Sequence, residues 1–95
     1  MTKKTFSFVN TKGVKYKVKE RRIQKRHSSV GLCYPPFGKN PRIYLDPDMS
    51  DRLRLSVTIE EFLHAFFWNK TEREVRKASR TIAKFLYLDN WRRNY

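Results

Sequence analysis

Apolar and polar residues alternate near the N-terminus in a way that predicts a β-hairpin. The alternation runs through residues 5–10 and again through residues 14–20, and the turn-forming sequence Asn-Thr-Lys-Gly lies between them. Successive side chains of a strand point to opposite faces, so the second run separates its apolar residues from its lysines. The inward set is Val14, Tyr16 and Val18, and the outward set is Lys15, Lys17 and Lys19.

The middle of the chain predicts a connection followed by a third short strand. Two glycines and three prolines fall within residues 30–41, and this composition excludes a helix. Residues 42–46 can form a strand, after which Asp46-Pro47-Asp48 is expected to turn the chain.

Helical periodicity begins after this turn and predicts two helices. The first is expected over residues 51–68, with Ser50 as its N-cap, and the second over residues 72–88, where Thr71 and Glu74 fit a capping box. Each helix has an apolar stripe that needs a partner. The stripe of the first helix is Leu55, Ile59, Phe62 and Phe66, and that of the second is Val75, Ala78, Ile82, Phe85 and Leu86.

These elements predict one small α+β domain. Its 95 residues can build one modest core, in which an antiparallel sheet of about three strands is covered by two helices. Residues 1–29 form a basic N-terminal hairpin region within that single domain.

Charge changes this picture by indicating an anionic partner. The chain has 22 Lys and Arg against 9 Asp and Glu, a net charge of +13, and residues 1–27 alone carry +9. Such a balance favours binding to nucleic acid or another polyanion. The alternative is a solvated face whose lysines guard a strand edge. The candidate contacts are Lys15, Lys17, Lys19, Arg21, Arg22, Lys25, Arg26, Arg73, Lys77 and Arg80.

Cysteine content and hydropathy bear on the compartment. The single cysteine, Cys33, excludes an internal disulfide, the first ten residues lack the apolar segment of a signal peptide, and no apolar run has the length of a membrane span. We therefore expect a cytoplasmic protein in which Cys33 is a small buried residue.

Candidate chemistry lies on the first helix. Glu60 and His64 are one turn apart and point the same way, and Glu61 is adjacent to them. This arrangement can hold a metal or move a proton, and the alternative is an acidic patch that pairs with the cations of the chain.

The residues around this helix carry a resemblance. Gly-Leu-Cys, a Pro-rich turn, Pro-Arg-Ile-Tyr-Leu-Asp and Thr-Ile-Glu-Glu-Phe-Leu-His-Ala follow in an order similar to that of the very small zincin-like metallopeptidase homologues of bacteriophages. In that family two histidines of an H-E-x-x-H helix bind zinc and its glutamate polarises the attacking water. The resemblance places Glu60 and His64 as metal ligands, Glu61 as the general base, and Glu72 or Glu74 as the third ligand.

One departure from the family pattern decides between the functions. Glu60 stands where the family has its first histidine, which predicts no cofactor or only weakly bound zinc. We therefore expect a non-catalytic basic module, in the host cytoplasm if the protein is viral, that binds nucleic acid or a ribonucleoprotein. The alternatives are a zinc-dependent hydrolase or peptidase and a phage factor that binds a host protein.

Overall fold

The computed structural model describes residues 5–23 and 30–93, which form an α+β fold. The predicted fold class is confirmed. Four strands precede two helices along the chain. The elements are β1 (Phe6–Val9), β2 (Lys15–Glu20), β3 (Gly31–Cys33), β4 (Arg42–Leu45), α1 (Asp51–Phe66) and α2 (Glu72–Leu88).

The sheet has the order β1-β2-β4-β3 and is mixed. β1 pairs antiparallel with β2, and β3 pairs antiparallel with β4, as hairpin-like neighbours do. The two central strands, β2 and β4, are parallel. The expectation of about three antiparallel strands is therefore corrected in two respects, because Gly31–Cys33 adds a strand within the Pro-rich connection and one pair is parallel.

The predicted alternation of β2 is confirmed. Tyr16 is fully buried, while Val14 and Val18 are half-buried against the core. On β4 the same inward face carries Ile43 and Leu45, both buried. This face forms the core of the domain, and the lysines of β2 are exposed on the opposite face.

The hairpin is attached to the first helix through its turn and through Phe8. Gly13 adopts a φ of +80°, which a residue without a side chain tolerates. Asn10 accepts hydrogen bonds from the backbone N–H groups of Lys12 and Val14, and its side-chain amide donates to the carbonyl of Ala65 at 3.1 Å. The ring of Phe8 stacks on Tyr16 within the hairpin and on Phe62 and Phe66 of α1.

Helix α1 packs against β3 and β4 on the core face of the sheet. It begins where predicted, since the Ser50 side chain accepts a hydrogen bond from the backbone N–H of Leu53, but it ends at Phe66 rather than at residue 68. Its buried residues are Glu61 and Ala65. The predicted apolar stripe is therefore only partly right. Phe62 and Phe66 contact Phe8, but the most buried positions of α1 are Glu61 and Ala65.

Helix α2 packs on α1 rather than on the sheet. Its capping box is confirmed, with Thr71 and Glu74 exchanging the expected hydrogen bonds. The predicted buried stripe is only partly right: Val75 is buried and Leu86 is half-buried, but Ala78 is exposed, Ile82 is 42 % exposed and Phe85 is 65 % exposed. The buried face of α2 consists of Val75, Ser79 and Ala83. These small residues let α2 approach α1 closely, while the larger Ile82 and Phe85 remain at the surface.

Among the described residues, no helix is both long enough and apolar enough to cross a membrane.

Candidate functional site

Three titratable residues of α1, Glu60, Glu61 and His64, line a small acidic cleft beside β3. Ligating atoms from Glu60, His64 and Glu72 lie within 4.8 Å of one another. The Nε2 atom of His64 is 4.0 Å from a Glu60 oxygen and 3.5 Å from a Glu72 oxygen. Glu60 and His64 come from adjacent turns of α1, and Glu72 comes from the first turn of α2. The loop between the helices thus brings the three side chains together.

The choice between the two predicted third ligands follows from helix capping. Glu74 accepts a hydrogen bond from the backbone N–H of Thr71 at 3.2 Å, and its own backbone N–H donates to the Thr71 hydroxyl. This capping contact directs the Glu74 carboxylate to the helix end. Glu72 lies two residues earlier and faces His64 instead.

A cation of the protein already contacts this cluster. The Nη2 atom of Arg76 is 3.0 Å from Glu72 and 3.9 Å from Glu60. One imidazole and two carboxylates are an acceptable donor set for a divalent ion such as zinc, so the residues fit such an ion. Arg76 competes with a metal for the same two carboxylates.

Glu61 lies deeper in the cleft than the three candidate ligands. It is only 7 % exposed and lies opposite Gly31, where an added Cβ would fall 2.8 Å from its Oε2 atom. Burial raises the pKa of Glu61 to about 8, and the negative charges of Glu60 and Glu72 add to the rise. The pKa of Glu60 is also raised, first by burial and then by a hydrogen bond with Glu72. Glu61 is therefore mostly protonated at neutral pH.

Cys33 also lines this cleft, together with residues of both helices. Burial raises the pKa of its thiol to about 12, and the nearby charge of Glu61 acts in the same direction. A thiol with such a pKa is a poor nucleophile. Cys33 packs against the core but is only half-buried, so the expectation of a small buried residue is partly right.

A second candidate site lies on the face of the sheet that carries neither helix. Lys17 pairs in register with Arg42, and Lys19 pairs with Tyr44, so side chains of β2 and β4 share this surface. They line a cleft of about 520 Å³. Its lining residues are Lys15, Lys17, Lys19, Asn40, Pro41, Arg42 and Tyr44. We refer to this surface as the outer sheet face.

Sequence reasoning did not identify the aromatic side chains of the outer sheet face. The guanidinium carbon of Arg42 lies 3.6 Å from the ring centre of Tyr34, and the rings of Tyr34 and Tyr44 meet edge to face at 5.7 Å. Arg21 lies over the other tyrosine, 5.1 Å from the ring centre of Tyr44. The alternation of Arg42 and Tyr44 with buried Ile43 and Leu45 was the available signal for this placement, since it marks a strand with one polar and aromatic face.

The remaining predicted cations are not among the residues that line the cleft of the outer sheet face. Arg22 is ion-paired with Asp48 near the end of β2. Arg73, Lys77 and Arg80 are exposed on α2, which packs on the far side of α1 from the sheet. Lys25 and Arg26 lie outside the described residues.

The chain matches no protein-family model, no curated protein and no solved structure. The resemblance to zincin-like phage proteins therefore stays a prediction that rests on the residues of the motif.

Proposed function

We propose that the protein is a basic binding module that contacts nucleic acid through the outer sheet face, without catalysis. The observation that carries this proposal is the row of Lys15, Lys17 and Lys19 in one open cleft with Arg42. Alternate residues of a strand are roughly 6.6 Å apart, so the row presents regularly spaced cations along an extended path. A chain of phosphates is the polyanion that such a row neutralises best.

The kind of contact follows from the side chains. Lysine is a flexible point charge, and contacts to phosphate position a protein on nucleic acid without reading its sequence. We therefore expect weak sequence specificity and a steep dependence of affinity on salt. A ribonucleoprotein offers the same phosphates and is compatible with this mode of binding.

The first test changes the row itself. Lys15, Lys17 and Lys19 replaced together by Gln should flatten the log-log dependence of affinity on salt by roughly 2–3, at about 0.7–0.9 per lost phosphate contact. The fold should persist, because these side chains are exposed and project away from Tyr16. Fluorescence anisotropy with a labelled oligonucleotide at several salt concentrations measures the slope, and circular dichroism checks the fold.

A matched variant removes the same charge elsewhere. Arg73, Lys77 and Arg80 replaced together by Gln lower the net charge equally but leave the outer sheet face intact. This variant should keep the parent slope, and Glu61→Gln should do the same because it changes only the acidic cleft. Equal effects of the two triple variants, or no binding by the parent at low salt, would contradict the proposal.

A second candidate function, a zinc-dependent hydrolase or peptidase, is favoured by the close approach of Glu60, His64 and Glu72. These residues would hold the metal, which would supply a Lewis acid for water activation when bound. Glu61 is the group that would take up the water proton. The cluster offers one imidazole, whereas catalytic zinc sites usually supply two or three nitrogen ligands, and Arg76 lies within 4 Å of both of its carboxylates. For this reason we rank hydrolysis below binding.

The metal site has its own test. The protein purified without added metal or chelator should hold well under one equivalent of zinc, because the site has one imidazole and Arg76 competes for its carboxylates. Glu60→His should raise zinc affinity by about tenfold or more, since the i, i+4 spacing already suits two histidine ligands. Competition with a chromophoric chelator measures the affinity.

Arg73→His serves as the control for this substitution, because it adds an imidazole on the exposed surface of α2. Near-stoichiometric zinc in the unaltered protein would show that the site is not weak. Equal zinc affinities for Glu60→His and Arg73→His would show that Glu60 does not occupy a ligand position.

A further inference from the structure

The outer sheet face combines its lysine row with planar groups that are held in place. β4 carries Arg42 and Tyr44, and the backbone N–H of Tyr34 donates to the carbonyl of Arg42 at 2.9 Å. Tyr34 thereby continues the line of β3 and lies beside Arg42. Three segments that are distant in sequence supply the lysines, the guanidinium and the two rings.

The guanidinium of Arg42 is oriented by three contacts. Its Nε atom donates to the Tyr44 hydroxyl at 3.0 Å, its Nη1 atom donates to the carbonyl of Asn40 at 2.9 Å, and its central carbon lies over the Tyr34 ring. Hydrogen bonding from Arg42 also lowers the pKa of Tyr44. In the part of the chain that the structure describes, neither Arg42 nor Arg21 is ion-paired with a carboxylate. Their charge therefore remains available to an anionic ligand.

Among the described residues, two other aromatic groupings lack this combination. Phe8, Phe62 and Phe66 stack inside the domain. Tyr87 is also contacted by a guanidinium, that of Arg92 at 3.4 Å, but it lies on α2 and away from the lysine row. Tyr44 is the aromatic residue that shares a cleft with Lys15, Lys17 and Lys19.

From this geometry we propose that the outer sheet face binds single-stranded nucleic acid by stacking bases on Tyr44 and the Tyr34–Arg42 pair while the lysines hold the phosphates. The inference rests on the proposed binding function and adds its substrate class. Aromatic rings and guanidinium planes stack on exposed bases and tolerate any sequence. In a duplex the base faces are already stacked on their neighbours, so this platform selects unpaired strands.

Four probes of equal length separate stacking from charge. They are a single-stranded oligodeoxyadenylate, the corresponding RNA, an abasic strand with the same phosphates, and a DNA duplex. At one salt concentration the parent should bind each base-bearing single strand at least fivefold more tightly than the abasic strand, the factor that corresponds to about 1 kcal/mol for one stacked base. The affinity for the duplex should be lower than the affinity for either base-bearing single strand. The DNA and RNA arms show which of the two sources of the same chemistry is preferred.

Variants locate the platform. Tyr44→Leu should bring the ratio of base-bearing to abasic affinity close to one, with the salt slope retained because every cation is still present. Tyr44→Phe should keep the ratio, since the ring remains. Tyr87→Leu, the same loss of a tyrosine beside a guanidinium, should also keep it. The triple lysine variant should instead lower the affinity for all four probes.

The outcomes distinguish the two levels of the proposal. If the parent binds the abasic strand as tightly as the base-bearing strands, with a steep salt slope, the stacking inference fails and the proposed function stands. Tight duplex binding equal to that of the single strands also overturns the inference. If none of the four probes binds at low salt, the proposed function itself fails. The comparison of probes on the parent requires no variant, so a folding defect in Tyr44→Leu leaves the test intact.

Discussion

At the scale of single residues, Glu61 is an ionisable side chain in a buried position. Its carboxyl group lies against Gly31 on the buried side of α1. A Cβ added to Gly31 would lie 2.5 Å from a Val57 methyl group and 2.8 Å from a Glu61 carboxyl oxygen. The absence of a side chain at Gly31 therefore lets α1 approach β3 closely enough to enclose the carboxyl. Removing an ionised carboxylate from water is costly, and the raised pKa of Glu61 reflects that cost.

The burial of Glu61 predicts that the stability of the fold decreases as the pH rises. Its pKa is about 8 in the folded protein and near 4.5 in the unfolded chain, so the folded state holds the proton more tightly. This contribution favours folding fully below pH 4.5 and is lost as the pH rises toward 8. Because glutamine does not ionise, Glu61→Gln removes this loss of stability at high pH. The variant should therefore be more stable than the parent at pH 8–9 by several kcal/mol, up to roughly 5 kcal/mol at about 1.4 kcal/mol per pKa unit.

Urea unfolding of both proteins between pH 4.5 and 9, with chelator present, measures this difference in the free energy of unfolding. The advantage of Glu61→Gln should grow across the range and be small at its acidic end. Parallel pH profiles would show that Glu61 ionises as readily in the folded protein as in the unfolded chain.

At the scale of elements, the two helices are held in different ways. α1 is attached to the sheet through Ala65, through Phe62 and Phe66 on Phe8, and through the Asn10 hydrogen bond to its last turn. α2 contacts chiefly α1 and buries small residues against it. Its larger apolar side chains remain at the surface, as Phe85 shows. The helix is amphipathic, but only a narrow part of its apolar side is covered.

Two identical substitutions test this difference between the helices. Phe62→Ala should cost about 3 kcal/mol or more of unfolding free energy, because it removes a ring that stacks on Phe8 at 4.6 Å and packs against the core. Phe85→Ala should cost less than about 1 kcal/mol, because that ring is 65 % exposed. Chemical denaturation measures both. A cost for Phe85→Ala equal to that for Phe62→Ala would mean that Phe85 is covered, as the periodicity of α2 predicts.

At the scale of the whole molecule, charges of opposite sign are placed on opposite sides of the sheet. The lysine row and Arg42 occupy the outer sheet face, while Glu60 and Glu72 lie in the cleft by α1. The net charge of +13 nonetheless leaves cations in large excess. Such an excess attracts polyanions and also makes the folded protein repel itself.

This self-repulsion predicts that salt stabilises the fold. Raising NaCl from about 0.05 M to 0.5 M shortens the screening length from more than 10 Å to a few Å. We expect the unfolding free energy to rise by about 1 kcal/mol, or roughly 4–8 °C in melting temperature for a domain of this size. Thermal melts followed by circular dichroism measure the shift. The triple Gln variant of the lysine row should gain less, and a melting temperature that falls with salt would show that attractive ion pairs dominate instead.

Local rules made much of this architecture predictable from the sequence. The hairpin, the inward position of Tyr16 and the outward position of Lys17 follow from a period of two, which depends only on the pleat of a strand. The start of each helix follows from Ser50 and Thr71, whose side chains satisfy backbone donors within a few residues. The grouping of Glu60, Glu61 and His64 on α1 follows from helical spacing alone. In each case the interacting groups are neighbours along the chain.

Tertiary structure decided what depends on partners distant in sequence. The parallel pairing of β2 with β4 places Tyr44 beside Lys19, 25 positions earlier, and no local pattern encodes that register. The meeting of Glu72 with His64 depends on how α2 folds back on α1. The same packing leaves Phe85 uncovered although its periodicity is that of a core residue. A periodic pattern specifies which residues share a face, whereas the position of other elements determines how much of that face is buried and which side chains from elsewhere join it.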